Sequence, residues 1–172
     1  MWYKVEYMTQ DTDVYWMKKA LELAHKAQEQ GEVPVGAVLV SQGQAIATGY
    51  NQSISNHDPC GHAEIICLRA AGAAVNNYRL LDTTLYVTLE PCPMCASALV
   101  HARVSRVVFG AFDPKAGAGG SVFQLLADPC LNHQIEITSG VLEIECREQL
   151  QAFFKQRRAV KKQQKLDQAA KK

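Results

Sequence analysis

The sequence has no membrane-length apolar run. Its longest, around residues 33–40, is the size of a strand, against the roughly 20 residues that a bilayer span needs. A secretory leader is also missing: Met1-Trp2-Tyr3-Lys4-Val5-Glu6 has no apolar segment and carries an acid early, so export is not expected. There is no internal repeat and no linker ahead of the basic tail. With 48% hydrophobic and 20% charged residues over 172 positions, the chain has the composition of a globular domain, which excludes disorder for its bulk. Six cysteines at uneven spacing in an unexported chain suit a metal or buried thiols better than disulfides. The expectation is a cytoplasmic protein with one folded domain.

A near-neutral balance, +1 overall, hides an asymmetry. Residues 155–172 hold eight Lys or Arg and one acid, Asp167, so the preceding chain holds ten bases against sixteen acids. A basic arm on an acidic body invites a polyanion at one edge, and nucleic acid is the usual candidate. A solvated helix end with a lysine tail is the alternative.

A first helix is expected from near Thr12 or Asp13, either of which can cap, to about Gln30. Met17, Leu21, Ala24 and Ala20, Leu23, Ala27 give helical spacing, and Gly31 ends it. Residues 35–40 and 45–50, separated by Ser-Gln-Gly-Gln, read as a β-hairpin. A loop with Asn51, Asn56, Asp58 and Pro59 leads to a second helix over 62–74. A strand at 84–89 and a helix opening at Pro91 follow, then a strand at 104–109. Residues 113–121, with Pro114 and three glycines, must be loop. A short strand at 135–138 precedes a long helix from Leu142, with Cys146, Leu150 and Phe153 on the same face. Helices alternating with strands after a hairpin predict a three-layer α/β/α domain with a mixed central sheet of about five strands. The divisions expected are an N-terminal extension over 1–11, a domain over 12–160 and a basic tail over 161–172.

The chemistry is concentrated in His62-Ala63-Glu64 and Pro91-Cys92-Pro93-Met94-Cys95. Cys92 and Cys95 share one face of a helix's first turn, where exposed N–H groups favour thiolates. His62 and Glu64 lie about 200° apart around a helix axis, so they address one centre only if it sits off the helix end. One His and two Cys make three ligands, which leaves a fourth zinc position for water, and Glu64 is placed to take its proton. Cys60 or Cys67 would instead close the site and make it structural. Cys67, Cys130 and Cys146 read as buried small hydrophobes. His25, His57, His101 and His133 have no metal-spaced partner.

An HxE followed about thirty residues later by PCxxC resembles the zinc-dependent nucleoside and nucleobase deaminases. Further segments resemble, within them, the bacterial family of tRNA-specific adenosine deaminases: Val33-Pro34-Val35-Gly36-Ala37-Val38, Asn51, His57-Asp58-Pro59, Asn77-Tyr78-Arg79-Leu80, Leu85-Tyr86-Val87-Thr88-Leu89-Glu90 and Arg106-Val107-Val108-Phe109-Gly110. The likeness runs over about residues 12–160. It implies a cytidine-deaminase-like fold, a homodimer and one Zn(2+) per chain held by His62, Cys92 and Cys95. The implied reaction is deamination of the wobble adenosine (position 34) in a tRNA anticodon stem-loop to inosine, with a zinc-activated water and Glu64 as proton shuttle.

The same resemblance assigns Asn51 and the Ala63 backbone to the base, Val33 and Pro34 to an apolar wall, and Asp113 to a ribose hydroxyl. Phe112 replaces a basic residue common in that family, so stacking on the substrate and packing within the loop are both open. Phe153, Phe154, Arg157 and Arg158 fall where the family's C-terminal helix approaches RNA, although Phe153 also continues the apolar face. Cys60-Gly61 departs from a commoner Thr-Ala pair. A free nucleobase or nucleoside deaminase acting on guanine, cytosine or cytidine is the nearest rival, and a zinc-stabilised RNA-binding module is the non-enzymatic one.

Overall fold

The computed structural model describes residues 2–169, with side chains from residue 11 onward. Helix α1 spans Trp2–Glu29, longer than the sequence suggested, because the potential cap at Asp13 is used elsewhere. Residues 2–30 contain neither proline nor glycine, so nothing local stops the helix. The buried Asp13 carboxylate instead accepts from both terminal nitrogens of Arg106, at 2.9 and 2.7 Å, and from the Tyr86 hydroxyl at 2.9 Å. A tertiary ion pair has taken over a residue whose type also suits a cap.

Strands β1 (Gly36–Ser41) and β2 (Gln44–Tyr50) form the expected hairpin around Gln42 and Gly43. Both turn residues have positive φ, +49° and +73°, which matches the twist of the strands they join. Next come α2 (Ala63–Val75), β3 (Thr83–Leu89), α3 (Pro93–Ala102), β4 (Arg106–Ala111), β5 (Glu136–Ser139) and α4 (Glu143–Ala169). Helix α3 opens at Pro93, not Pro91, so Pro93 occupies the first-turn position that tolerates a missing N–H, and Cys92 is the N-cap. The lysine-rich stretch after 160 continues α4 as helix through Ala169.

The sheet order is β2-β1-β3-β4-β5, antiparallel in the first two pairings and parallel in the last two. Side-chain alternation assigns the helices to faces. A Cβ at Gly36 would strike the backbone of α1, one at Gly110 would strike Cys146 of α4, and one at Gly49 would strike the start of α2. Register places Gly36 and Gly110 on one face and Gly49 on the other. Helices α1 and α4 therefore cover one side of the five strands, while α2, with α3 beside it, covers the other. This is the expected three-layer mixed-sheet architecture. Its core is formed by Leu39, Leu85, Val87, Val107, Phe109, Leu99 and their neighbours.

A candidate zinc centre beside an enclosed cavity

Both chemistry-bearing segments start helices, and β2 and β3, each antiparallel to β1 and so pointing the same way, deliver those starts to one end of the sheet. His62 is the N-cap of α2 and Cys92 the N-cap of α3, each in extended conformation, with Cys95 one turn into α3. The His62 Nδ1 lies 3.7 Å from the Cys92 Sγ and 3.5 Å from the Cys95 Sγ. Tetrahedral zinc with bond lengths of about 2.3 Å to sulfur and 2.0 Å to nitrogen has S···N edges of about 3.6 Å, so this donor set fits that ion without rearrangement. Among the described residues, His62, Cys92 and Cys95 form the one such donor group. Cys60 and Cys67 stand outside it, and the Cys67 thiol points to the Ala47 carbonyl at 3.5 Å. Three protein ligands leave a coordination position open, the pattern of a catalytic rather than a structural ion.

Electrostatics prepare the donors. The Cys95 thiol donates to Cys92, and this bond, with help from His62, pulls the Cys92 thiol down to about 4 against the cost of burial. Cys95 is pushed upward as the donor of that pair. His62 is raised mainly through its contact with Cys92. Glu64 is 4% exposed, and burial is the main cause that lifts its carboxyl to about 7. A carboxyl poised near neutrality can both accept and return a proton.

A cavity of about 370 Å³ opens onto this cluster, walled by Val33, Val35, Asn51, Glu64, Leu89 and Asp113. The Asn51 Oδ1 accepts from the Ala63 N–H at 2.9 Å, which fixes the side-chain amide at the cavity wall. The Ala63 amide proton is thereby committed to Asn51. Val33 lines the cavity, whereas Pro34 is buried outside its wall and Val35 takes the adjoining place. Asp113 is on the wall, its Oδ1 accepting from the Lys115 N–H. Phe112 is about half-exposed, standing edge-on to Phe109 with ring centres 5.2 Å apart. On α4, Phe153 is buried and Arg157 lies over its ring while donating to the Gly31 carbonyl at 3.1 Å. Phe154, not Phe153, is the ring that reaches solvent there.

Two residues that the sequence reading passed over hold the cavity's rims. The Glu32 carboxylate, 1% exposed, accepts from the Ile54 and Ser55 N–H groups at 2.9 and 2.7 Å and from the Ser55 hydroxyl at 2.9 Å. Glu90, equally buried, accepts from the N–H groups of Asp113, Gly119 and Ser121 at 3.0, 2.9 and 3.0 Å and from the Ser121 hydroxyl. Gly117 is required beneath this second strap, since a Cβ there would strike the Glu90 carboxylate. The available signal was an acid enclosed in apolar sequence, Leu89-Glu90-Pro91, which burial requires to be satisfied. Cys130, expected inside, is exposed in a turn where its N–H donates to the Asp128 carboxylate at 2.8 Å.

Comparison with known proteins agrees with this geometry. Residues 10–111 match the zinc-binding region of cytidine and deoxycytidylate deaminases. The chain is 54% identical over 151 residues, 87% of each chain, to a tRNA-specific adenosine deaminase of Haemophilus influenzae. It is 51% identical over 155 residues to the protein of that name from Bacillus subtilis, covering 90% of this chain and 95% of the other. A structure solved in a study of A-to-I editing by tRNA:A34 deaminases superimposes with a TM-score of 0.76 at 43% identity, over 78% of this chain and 98% of that one. A guanine deaminase from Nitrosomonas europaea shares the fold, with a TM-score of 0.72 at 23% identity, over 81% of this chain and 83% of its own.

Proposed function

The chain belongs to the cytidine and deoxycytidylate deaminase family, and from that premise we infer that it is a zinc-dependent hydrolase converting the wobble adenosine of tRNA to inosine. The observation that carries the reading is the three-donor cluster with a buried Glu64 lining the same cavity, in a chain 54% identical over 151 residues to a tRNA-specific adenosine deaminase. The overall change replaces the C6 amino group of adenine by oxygen: water is consumed and ammonia leaves.

His62, Cys92 and Cys95 would hold a zinc ion, which would supply there a water acidified enough to act as a nucleophile near neutral pH. The rest belongs to the protein. Glu64 takes the proton from that water, gives it to the purine ring and carries the next to the departing ammonia, a task suited to a carboxyl whose burial raises it to about 7. Asn51, held by the Ala63 N–H, directs its NH₂ to an acceptor on the base edge. Val33 and Val35 cover the ring's apolar faces and keep bulk water away. Asp113, on the opposite rim, accepts from a ribose hydroxyl, and a 2′-hydroxyl there separates RNA from DNA. Arg157 and Arg158 meet phosphates of the same loop, with Phe112 and Phe154 as stacking surfaces. A base already unstacked in an anticodon loop is the least costly to extrude.

The protein acts as a homodimer in the cytoplasm, where its substrate is found. Tyr78, Val75 and Leu81 stand exposed around an open, apolar-walled groove between α2 and α3, a surface suited to a second copy. No helix among the described residues is long and apolar enough to cross a membrane. Sedimentation as a 19.0 kDa monomer at micromolar concentration would overturn the dimer.

The decisive assay is inosine formation on an anticodon stem-loop with adenosine at the wobble position, with free adenosine, cytidine and guanine in parallel. Turnover confined to the stem-loop is expected. Turnover confined to a free base or nucleoside would keep the zinc chemistry and reverse the substrate assignment.

A further inference from the structure

Two adjoining concavities carry opposite charge. The cavity at the zinc donors is lined by four carboxylates, Glu32, Glu64, Glu90 and Asp113, and by no lysine or arginine. A groove of about 870 Å³ shares its Val33–Ile54 wall and is lined by Arg157, Arg158 and Lys161 and by no acid. A neutral base can enter the first, but a phosphate chain is repelled there and attracted to the second.

The positive surface does not stop at the groove. Phe154, Arg158, Lys161 and Lys165 follow one another at spacings of four, three and four residues, which puts them in one line along α4, with Lys162 beside them. That line runs about 16 Å from Phe154 to Lys165 at 1.5 Å per residue. All of these side chains are exposed, and none of the four cations has a hydrogen-bonded or acidic partner among the described residues. The one acid of this stretch, Asp167, is engaged with Gln163 at 2.9 Å, off the line. Like charges at 158/162 and 161/165 stand one turn apart and repel each other. A solvated face that only kept the helix soluble would interleave acids; this one accumulates a single sign and relieves it when a polyanion binds.

We propose that Lys161, Lys162 and Lys165, continuing the line from Arg158, form a rail for the phosphates of the helical stem flanking the edited loop, outside the nucleotides that enter the cavity. The proposal rests on the RNA-deaminase reading above. The direction of the line decides stem over loop: with a base in the cavity, neighbouring loop phosphates occupy the groove at Arg157, and what lies farther along α4 is the flanking duplex. Contacts of this kind hold and orient RNA without reading its sequence.

The test uses the full zinc-loaded chain and Lys162→Gln/Lys165→Gln, positions outside the groove where glutamine preserves helix propensity. Two RNAs are compared, the complete anticodon stem-loop and a single strand carrying the loop alone. For the stem-loop, the slope of log affinity against log salt should flatten by about 1.4 to 1.8, two contacts at roughly 0.7–0.9 each, and KM should rise roughly fivefold with kcat unchanged. The loop-only strand should bind and turn over as with the unaltered chain. Equal losses on both RNAs, or an unchanged salt slope on the stem-loop, would overturn the rail. Stem-dependent binding by a chain that produces no inosine would leave the rail standing and sink the activity assignment instead.

Discussion

The zinc-side cavity and the basic flank of α4 lie against the same Val33–Ile54 wall, yet they are built in opposite ways. Around the cavity the functional groups are buried or half-buried, and most are held at the start of a helix or in a strapped loop. Along α4 the charged groups are exposed on long side chains. The difference follows from what each must do. Proton transfer and base recognition need fixed positions in a low dielectric, where a misplaced group is costly. Gripping a phosphate chain needs charge more than geometry, and an exposed lysine supplies it while adapting to whatever RNA arrives. The proposed function puts selectivity in one region and affinity in the other, so substitutions should separate the two.

The largest effect is expected at Glu64. Glu64→Gln should retain one zinc per chain by metal analysis while inosine formation falls by about two to four orders of magnitude, since a positioned acid–base group contributes about 10² to 10⁴ in rate. Turnover that survives would remove Glu64 from the proton path. Cys92→Ser should lose the ion itself, seen as zinc stoichiometry well below one and a lowered melting temperature, because metal binding to three donors on two helices is also folding free energy.

Next comes Glu90→Ala, which strips the acceptor from three backbone N–H groups and one hydroxyl. Each unsatisfied buried group costs about 1–3 kcal/mol, so denaturant unfolding should register a loss of several kcal/mol, or faster amide exchange confined to residues 112–121 if that loop opens to water. If neither appears, the second rim is held by something other than Glu90. The smallest effect belongs to the flank. Arg158→Ala should raise KM for the stem-loop a few-fold, lose that effect in high salt and leave stability untouched, since exposed charges are screened and contribute little to folding. A kcat loss at Arg158 would erase the division between the two regions.

The zinc centre was readable in the sequence because each half lies within a few residues at a helix start, so spacing alone sets which donors can converge. The layers and the mixed five-stranded sheet were readable for a related reason: the hairpin and the alternating pattern leave few topologies; the strand order came only with the structure. What was not readable depends on partners far along the chain. Asp13 looks like a cap until Arg106, 93 residues away, arrives beside it. Glu32 and Glu90 look like surface acids until loops 22 to 31 residues away close over them. Phe153 and Phe154 are neighbours with equal propensity, and only the docking angle of α4 decides which one is buried and which reaches solvent. Cys130 was misplaced for a similar reason: a cysteine's average burial says nothing about an Asp128 side chain that turns the local backbone outward.

Gly49 extends the catalytic machinery beyond the groups that touch a substrate. It lies on the hairpin's outer strand, faces α2, and leaves room for nothing but hydrogen between the sheet and the carbonyl of Ala63. That carbonyl belongs to the residue between His62 and Glu64, the proposed proton carrier. The missing methyl therefore acts as a shim that sets the clearance of the whole assembly. One added carbon would displace α2's first turn and move His62, Ala63 and Glu64 together, and a shift near 1 Å at reacting groups is enough to cost about a hundredfold in rate. A position that contacts no nucleotide and binds no ion is thus a calibration point of the enzyme, inherited from how closely a helix can rest on a strand.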